Sequence, residues 1–159
     1  MKIATLNVNG LRASIKKGFI DWLENSGIDI ICLQEVRMDP ADLRKKIPKG
    51  WYSIHAPAQK KGYSGVAIWS KVKAKSFATS FGFDLVDNEG RIAKAEFANC
   101  IVYSMYFPSG TSGTQRQDEK YRFLNFIEEH APSFQKEHKN VLICGDVNIA
   151  HTALDLYHD

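Results

Sequence analysis

The sequence points to a mixed, layered α/β fold, and three observations carry that expectation. Helix-like and strand-like segments alternate through residues 2–47, four strand-like runs follow one another between residues 51 and 106, and a long helical pattern and a final strand close the chain. Strands that cluster in the middle of such an alternation suit packed α/β layers better than a regular doubly wound sheet. No Gly-x-Gly-x-x-Gly turn and no Walker loop follows any strand, so nothing supports a nucleotide-cofactor fold.

The first strand is expected over Lys2–Leu6, ending in the turn signal Asn7-Val8-Asn9-Gly10. A basic stretch with Arg12, Lys16 and Lys17 precedes an amphipathic helix over residues 18–25, whose apolar side is Phe19, Ile20 and Leu23, with Gly27 past its end. Residues 29–33 are almost continuously apolar, which predicts a strand covered on both faces. Asp39-Pro40 supplies an N-cap and a first-turn proline for a short helix to about Ile47. Strands are expected at 51–56, 65–69, 92–97 and 100–106, separated by segments containing Gly62, Gly82 and Gly90. A long helix from Thr114 carries Tyr121, Leu124, Ile127 and Ala131 at helical spacing and should kink or end at Pro132. Asn140–Cys144 then forms a buried strand running into Gly145-Asp146-Val147-Asn148.

At 159 residues, 44% hydrophobic and 25% charged, the chain has the size and composition of one ordinary globular domain. No apolar run approaches the roughly 18 residues of a membrane span, and no export signal precedes Asn7, so a cytoplasmic, non-membrane protein is expected. A net charge of +3 permits nucleic-acid binding without demanding it. Cys32, Cys100 and Cys144 each sit in an apolar run and read as buried, reduced thiols.

The chemistry is carried by strand ends. The strands at 2–6, 29–34 and 140–144 end in Asn7, Glu35 and Asp146, with Asn148 two residues further on. Were these strands parallel neighbours in one sheet, the oxygen-bearing side chains would converge at its carboxyl edge. One Glu, one Asp and two Asn form a hard oxygen set that suits magnesium, with water and a phosphate completing the shell. No Cys/His cluster has zinc spacing. Asn7 and Asn9 also suit a turn before Gly10, and Asp146 a turn after a strand, whereas Glu35 is costly to bury without a partner.

Six ordered segments then become specific: Ala-Thr-Leu-Asn-Val-Asn-Gly-Leu-Arg-Ala (4–13), Asp-Ile-Ile-Cys-Leu-Gln-Glu (29–35), Gly-Tyr-Ser-Gly-Val-Ala (62–67), Asn-Glu-Gly-Arg (88–91), Ser-Met-Tyr-Phe-Pro-Ser-Gly (104–110) and Cys-Gly-Asp-Val-Asn-Ile-Ala-His (144–151). Their order and spacing resemble the exonuclease III / AP endonuclease family of DNA-repair nucleases, within the DNase I-like superfamily, from residue 2 to about residue 156. The resemblance implies a DNase I-like α/β sandwich and Mg2+-dependent hydrolysis of DNA phosphodiesters, with Mn2+ as a substitute. The implied partner is double-stranded DNA with abasic sites or 3′ ends.

By the same resemblance Glu35 is the main metal carboxylate with Asn7 beside it, and Asp146 and Asn148 serve both metal and scissile phosphate. Tyr106 is the active-site phenol, and Arg12, Ala13, Lys17, Tyr63 and Arg91 are DNA-side residues. Asn9 stands where some relatives carry Asp. The family's later motifs, an Asn-rich stretch, a further Asp and a Ser-Asp-His ending, do not occur, and neither His151 nor His158 has that context. Residues 1–159 are therefore expected to be an incomplete single domain, its C-terminal part absent, with impaired activity and an exposed half-core prone to self-association. Two other readings stay open: a phosphoinositide-type phosphatase of the same superfamily, and a non-catalytic nucleic-acid-binding or assembly module.

Overall fold

Two four-stranded sheets lie face to face between two helical layers in the computed structural model, which describes residues 1–110 and 113–155. The chain runs β1 (Ile3–Asn7), α1 (Leu11–Lys16), α2 (Phe19–Asn25), β2 (Ile30–Gln34), α3 (Pro40–Arg44), β3 (Tyr52–Ala56) and β4 (Val66–Ser70). It continues through β5 (Ser76–Ala78), α4 (Asp84–Glu89), β6 (Ile92–Glu96), β7 (Ile101–Tyr106), α5 (Thr114–Glu137) and β8 (Val141–Asp146), and a 3-10 turn follows at Ala153–Asp155. The first sheet has the order β1-β2-β4-β3 and the second β5-β6-β7-β8. In each sheet a parallel pair, β1 with β2 and β7 with β8, sits at one edge, and the remaining pairs are antiparallel.

Alternation along the strands distributes side chains to the layers. In β2, Ile31 and Leu33 join the cluster formed with Leu11, Phe19, Leu23 and Leu43 of the first helical layer. Ile30 and Cys32, on the opposite face, pack against Ala93, Ala95 and Val102 of the second sheet. This period of two explains why β2 is wholly buried and reads as a continuous apolar run. On the outer face of the second sheet, Ile101, Tyr103 and Met105 meet Phe123, Phe126 and Phe134 of α5. No helix among the described residues is long and apolar enough to cross a membrane.

Five expectations need correction. The strand expected to be buried at 140–144 exposes Leu142 and Ile143 and leaves Cys144 only partly buried, because β8 is the edge strand of its sheet. The strands ending in Asn7, Glu35 and Asp146 do not share a sheet: β8 pairs with β7, in the second sheet. The stretch holding Arg12 is helical, because Leu11 is buried and its N–H reaches the Val36 carbonyl at 3.0 Å. Six residues are too few for periodicity to reveal that helix. Helix α4 was likewise hidden between Gly82 and Gly90. Its Asp87 carboxylate ties down the segment before it, accepting from Phe81 N at 2.8 Å, Gly82 N at 3.1 Å and the Ser80 hydroxyl at 2.7 Å. Finally, Pro132 lies inside α5 without ending it. A mid-helix proline costs about 3 kcal/mol, and the turn beyond it is retained by Phe134, whose ring lies 4.8 Å from that of Tyr103. The buried stripe of α5 runs through its phenylalanines, while Tyr121 faces solvent. His158 lies outside the described residues.

Candidate active site

Asn7, Glu35, Tyr106 and Asp146 meet where the carboxyl ends of the two parallel strand pairs face one another. Asn7 closes β1 opposite Gln34, the last residue of β2. Tyr106 and Asp146 close β7 and β8 and are register partners. The Asn7 side-chain amide donates to Glu35 Oε1 and to Asp146 Oδ2, each at 2.8 Å, and so joins the two sheets through one nitrogen. Its Oδ1 accepts from the Asn9 backbone N–H at 2.9 Å. The carboxylate separation is therefore set by an amide, and the residues expected to converge do so from opposing sheets.

Glu35 occupies a left-handed backbone conformation, φ 53°, as β2 ends. Its carbonyl accepts from Gly10 N at 2.7 Å, and its carboxylate pairs with Arg37, a residue the sequence reading passed over although it lies only two positions away. Burial pushes the Glu35 carboxyl upward, but hydrogen bonds from Asn7 and Tyr106 and the Arg37 guanidinium outweigh it and hold it below the usual glutamate value. It is thus an anion at neutral pH. The Tyr106 phenol is pushed up to about 12 by burial, with the neighbouring Glu35 and Asp146 charges adding to the effect and Arg91 opposing it. Tyr106 is therefore a hydrogen-bond donor and not a base.

Asp146 Oδ1 accepts from Asn148 N at 3.0 Å, and the Asn148 side chain is turned to the Phe107 carbonyl at 2.9 Å. Lys120 of α5 reaches the Asn148 carbonyl at 2.7 Å, a contact across 28 residues that no local pattern announces. Gly145 permits the approach of β8 to β7, since a Cβ there would lie 1.9 Å from the Met105 carbonyl oxygen. A shallow cleft of about 290 Å³ lined by Thr5, Asn7, Gln34, Gly145 and Asp146 fronts the cluster.

The residues expected at the DNA side divide into two groups. Arg12, Ala13 and Lys17 are exposed on or just past α1, with Arg12 paired to Asp42. Arg91 departs from expectation: it is only 2% exposed and has no free face for a DNA backbone. Its Nε donates to Glu89 at 2.7 Å and Nη1 to the Tyr106 carbonyl at 2.9 Å, while its guanidinium lies 4.8 Å over the Tyr106 ring. Arg91 thus positions Tyr106. Tyr63 is half-buried, and its hydroxyl takes hydrogen bonds from Arg116 at 2.7 Å and Arg91 at 3.3 Å. Arg116 also pairs with Glu89 at 2.9 Å, closing a network between α5 and the site that sequence alone could not indicate.

The donor set fits a hard divalent cation. Two carboxylates flank one amide nitrogen beside an open cleft, and magnesium takes one or two carboxylates together with water and phosphate. As oriented, Asn7 clamps the carboxylates with its nitrogen, so acting as an oxygen ligand would require its amide to turn and surrender the Asn9 contact. Among the described residues no group of three or more His, Cys, Asp or Glu side chains is gathered.

Comparison with known proteins agrees with this architecture. The chain is 34% identical to a DNA-(apurinic or apyrimidinic site) endonuclease of Dictyostelium discoideum over 98% of its own length and 44% of the relative's. It is also 34% identical to an exodeoxyribonuclease of Bacillus subtilis, over 98% and 62% of the two lengths. Its fold matches a 3′-5′ exonuclease from Neisseria meningitidis with a TM-score of 0.80 and 25% identity, covering 94% of this chain and 59% of that one. The chain thus spans roughly half the length of the curated relatives it matches. The two-sheet sandwich, the convergent strand ends and a family match over residues 4–159 together establish that this chain belongs to the endonuclease/exonuclease/phosphatase family.

Proposed function

We propose that the chain carries the metal-and-phosphate part of a Mg2+-dependent DNA-repair phosphodiesterase, with Mn2+ as a substitute. Its substrates are double-stranded DNA with abasic sites, incised on the 5′ side, or with 3′ ends trimmed stepwise. The observation that carries this reading is the Asn7 amide bridging Glu35 and Asp146 beside the Tyr106 phenol.

The roles follow from the geometry. A bound divalent cation would supply charge neutralisation and polarise the scissile phosphate, with Glu35 and Asp146 as its carboxylate ligands and Asn7 and Asn148 beside them. Tyr106, protonated at working pH, donates to a phosphate oxygen and stabilises charge as the pentacoordinate state forms. Asp146 also orients the attacking water, and Asn148 N fixes that carboxylate. Exposed Arg12 and Lys17, with the Ala13 backbone and Tyr63, meet the DNA backbone. The chain covers 44% and 62% of the lengths of the two curated relatives, and low turnover by residues 1–159 alone is part of this proposal. Exposed Leu142, Ile143, Val147 and Ile149 near the β8 edge favour self-association. Three free cysteines suit a reducing, cytoplasmic setting.

The test is binding of an abasic-site duplex with and without Mg2+, in the natural chain and in Glu35→Gln. Chelation and Glu35→Gln should each weaken Mg2+-stimulated binding about tenfold or more. Binding indifferent to both would favour the non-catalytic module, and preferential competition by a phosphoinositide would favour the phosphatase reading. Incision by the 159 residues should be slow, and rapid multiple turnover would refute that part.

A further inference from the structure

Each oxygen of the Glu35 carboxylate is engaged: Oε1 accepts from Asn7 at 2.8 Å, and Oε2 is paired with the Arg37 guanidinium. The ion pair is unequal. The glutamate side chain is 13% exposed and the arginine 42%, so a nearly enclosed anion meets a cation that reaches it from solvent. Among the described residues Glu35 is the sole group with which the Arg37 side chain pairs. Arg91, by contrast, is buried and divides its donors among Glu89, Tyr63 and the Tyr106 carbonyl. Arg91 is built into the fold, whereas Arg37 is free to leave its partner.

The main chain beneath this pair is fixed. The Glu35 carbonyl accepts from Gly10 N at 2.7 Å, Val36 N and Arg37 N donate to the Gly65 and Ser64 carbonyls at 3.0 and 2.9 Å, and Val36 is fully buried. Glu35 and Arg37 both hold left-handed backbone conformations, with φ of 53° and 49°. Non-glycine residues persist in that region where their surroundings impose it, and such positions cluster at functional sites. An anchored backbone therefore carries a long flexible arm whose charge lies beside the Asn7–Glu35–Asp146 cluster.

Charge decides what the arm does. A divalent cation brought to Glu35 meets the guanidinium at close range, where like charges repel. The Glu35 and Asp146 carboxylates with Arg37 carry one excess negative charge. A divalent cation turns this into one excess positive charge, which a phosphodiester then cancels. Without Arg37 the same assembly would keep one uncompensated negative charge. We propose, on the metal-dependent reading of the site, that Arg37 holds the cation's place on Glu35, yields it when the metal binds, and then serves as a counter-charge to the substrate phosphate. Its forked donor suits phosphate oxygens. The two roles have opposite signs, since Arg37 competes with the metal and assists the DNA.

The experiment measures two affinities in the 159-residue chain, in Arg37→Gln and in Arg37→Lys. Mn2+ binding without DNA is followed by the electron paramagnetic resonance of the free ion. Binding of an abasic-site duplex at saturating Mn2+ is followed by fluorescence anisotropy before incision. In Arg37→Gln the Mn2+ dissociation constant should fall about threefold or more while that of the duplex rises about threefold or more. Arg37→Lys, which keeps the charge, should lie close to the natural chain in both. Mn2+ affinity that is unchanged or weaker in Arg37→Gln would overturn the competition, and duplex affinity that is unchanged would overturn the counter-charge. Loss of both affinities in the Gln and Lys variants alike would mark Arg37 as structural and overturn the proposal whole. Glu35→Gln should abolish the Mn2+ signal change. A natural chain that binds no Mn2+ would instead sink the metal-dependent reading itself, an outcome distinct from one in which Mn2+ binds and Arg37 is indifferent to it.

Discussion

The two sheets fix their functional side chains by different means. In the first, Glu35 leaves a strand whose five residues are all buried, and its position is inherited from apolar packing on both faces. In the second, Tyr106 leaves β7 against a polar network in which Arg91 holds its carbonyl and covers its ring, while Glu89, Arg116 and Tyr63 hold Arg91 and one another. Neighbouring β8, which delivers Asp146, is largely unburied along its outer stretch. One half of the site therefore depends on packing and the other on charge, and the two should respond differently to mutation and to pH.

The largest effect is expected from Leu33→Ala in β2, about 2–5 kcal/mol of stability lost on cutting a fully buried leucine. Urea unfolding measures it, and a loss below about 1 kcal/mol would show that packing is not what holds Glu35. Acid should reveal a second property of the first sheet. Because the folded His55 titrates at about 4 and not at its ordinary 6.5, the unfolded chain binds more protons between those values. Stability should fall as pH drops from 6.5 to about 4 and then level for this group, by up to about 3 kcal/mol. His55→Gln should flatten that slope, and an unchanged slope would place the acid sensitivity elsewhere.

In the second sheet Arg91→Met should cost about 1–3 kcal/mol, less than the loss of an entire buried pair because Arg116 still compensates Glu89. Its signature is local: the Tyr106 ring should gain mobility by NMR while the Glu35 backbone amide keeps its shift. The smallest change in stability, under about 0.5 kcal/mol, is expected for Ile143→Ser at a half-exposed position of β8. The same substitution should reduce concentration-dependent association in sedimentation velocity, and association that persists unaltered would exclude this face.

The strong apolar runs were legible in the sequence because burial on both faces leaves no room for polar residues, so β2, β4 and β7 stand close to their expected positions. The short elements were not. Helices α1 and α4 are held by a few contacts each, Leu11 and Ile15 in one and Val86 with the Asp87 carboxylate in the other, too few to leave a periodic trace. The convergence of Asn7, Glu35 and Asp146 could be read from strand ends, but their distribution over two sheets could not, since a strand's partner is a property of distant sequence. Arg91 shows a further limit. A cation in a motif suggests a ligand outside, yet here its charge is spent inside on Glu89 and a carbonyl.

The layer between the sheets is built partly of alanine, with Ala93 and Ala95 facing β2 and β4. Because Glu35 hangs from one sheet and Asp146 from the other, the thickness of that layer works as a spacer for the two carboxylates that Asn7 bridges. A larger side chain at Ala95 would push the sheets apart and stretch the Asn7 bridge, detuning the chemistry from within the core without replacing any residue that touches it.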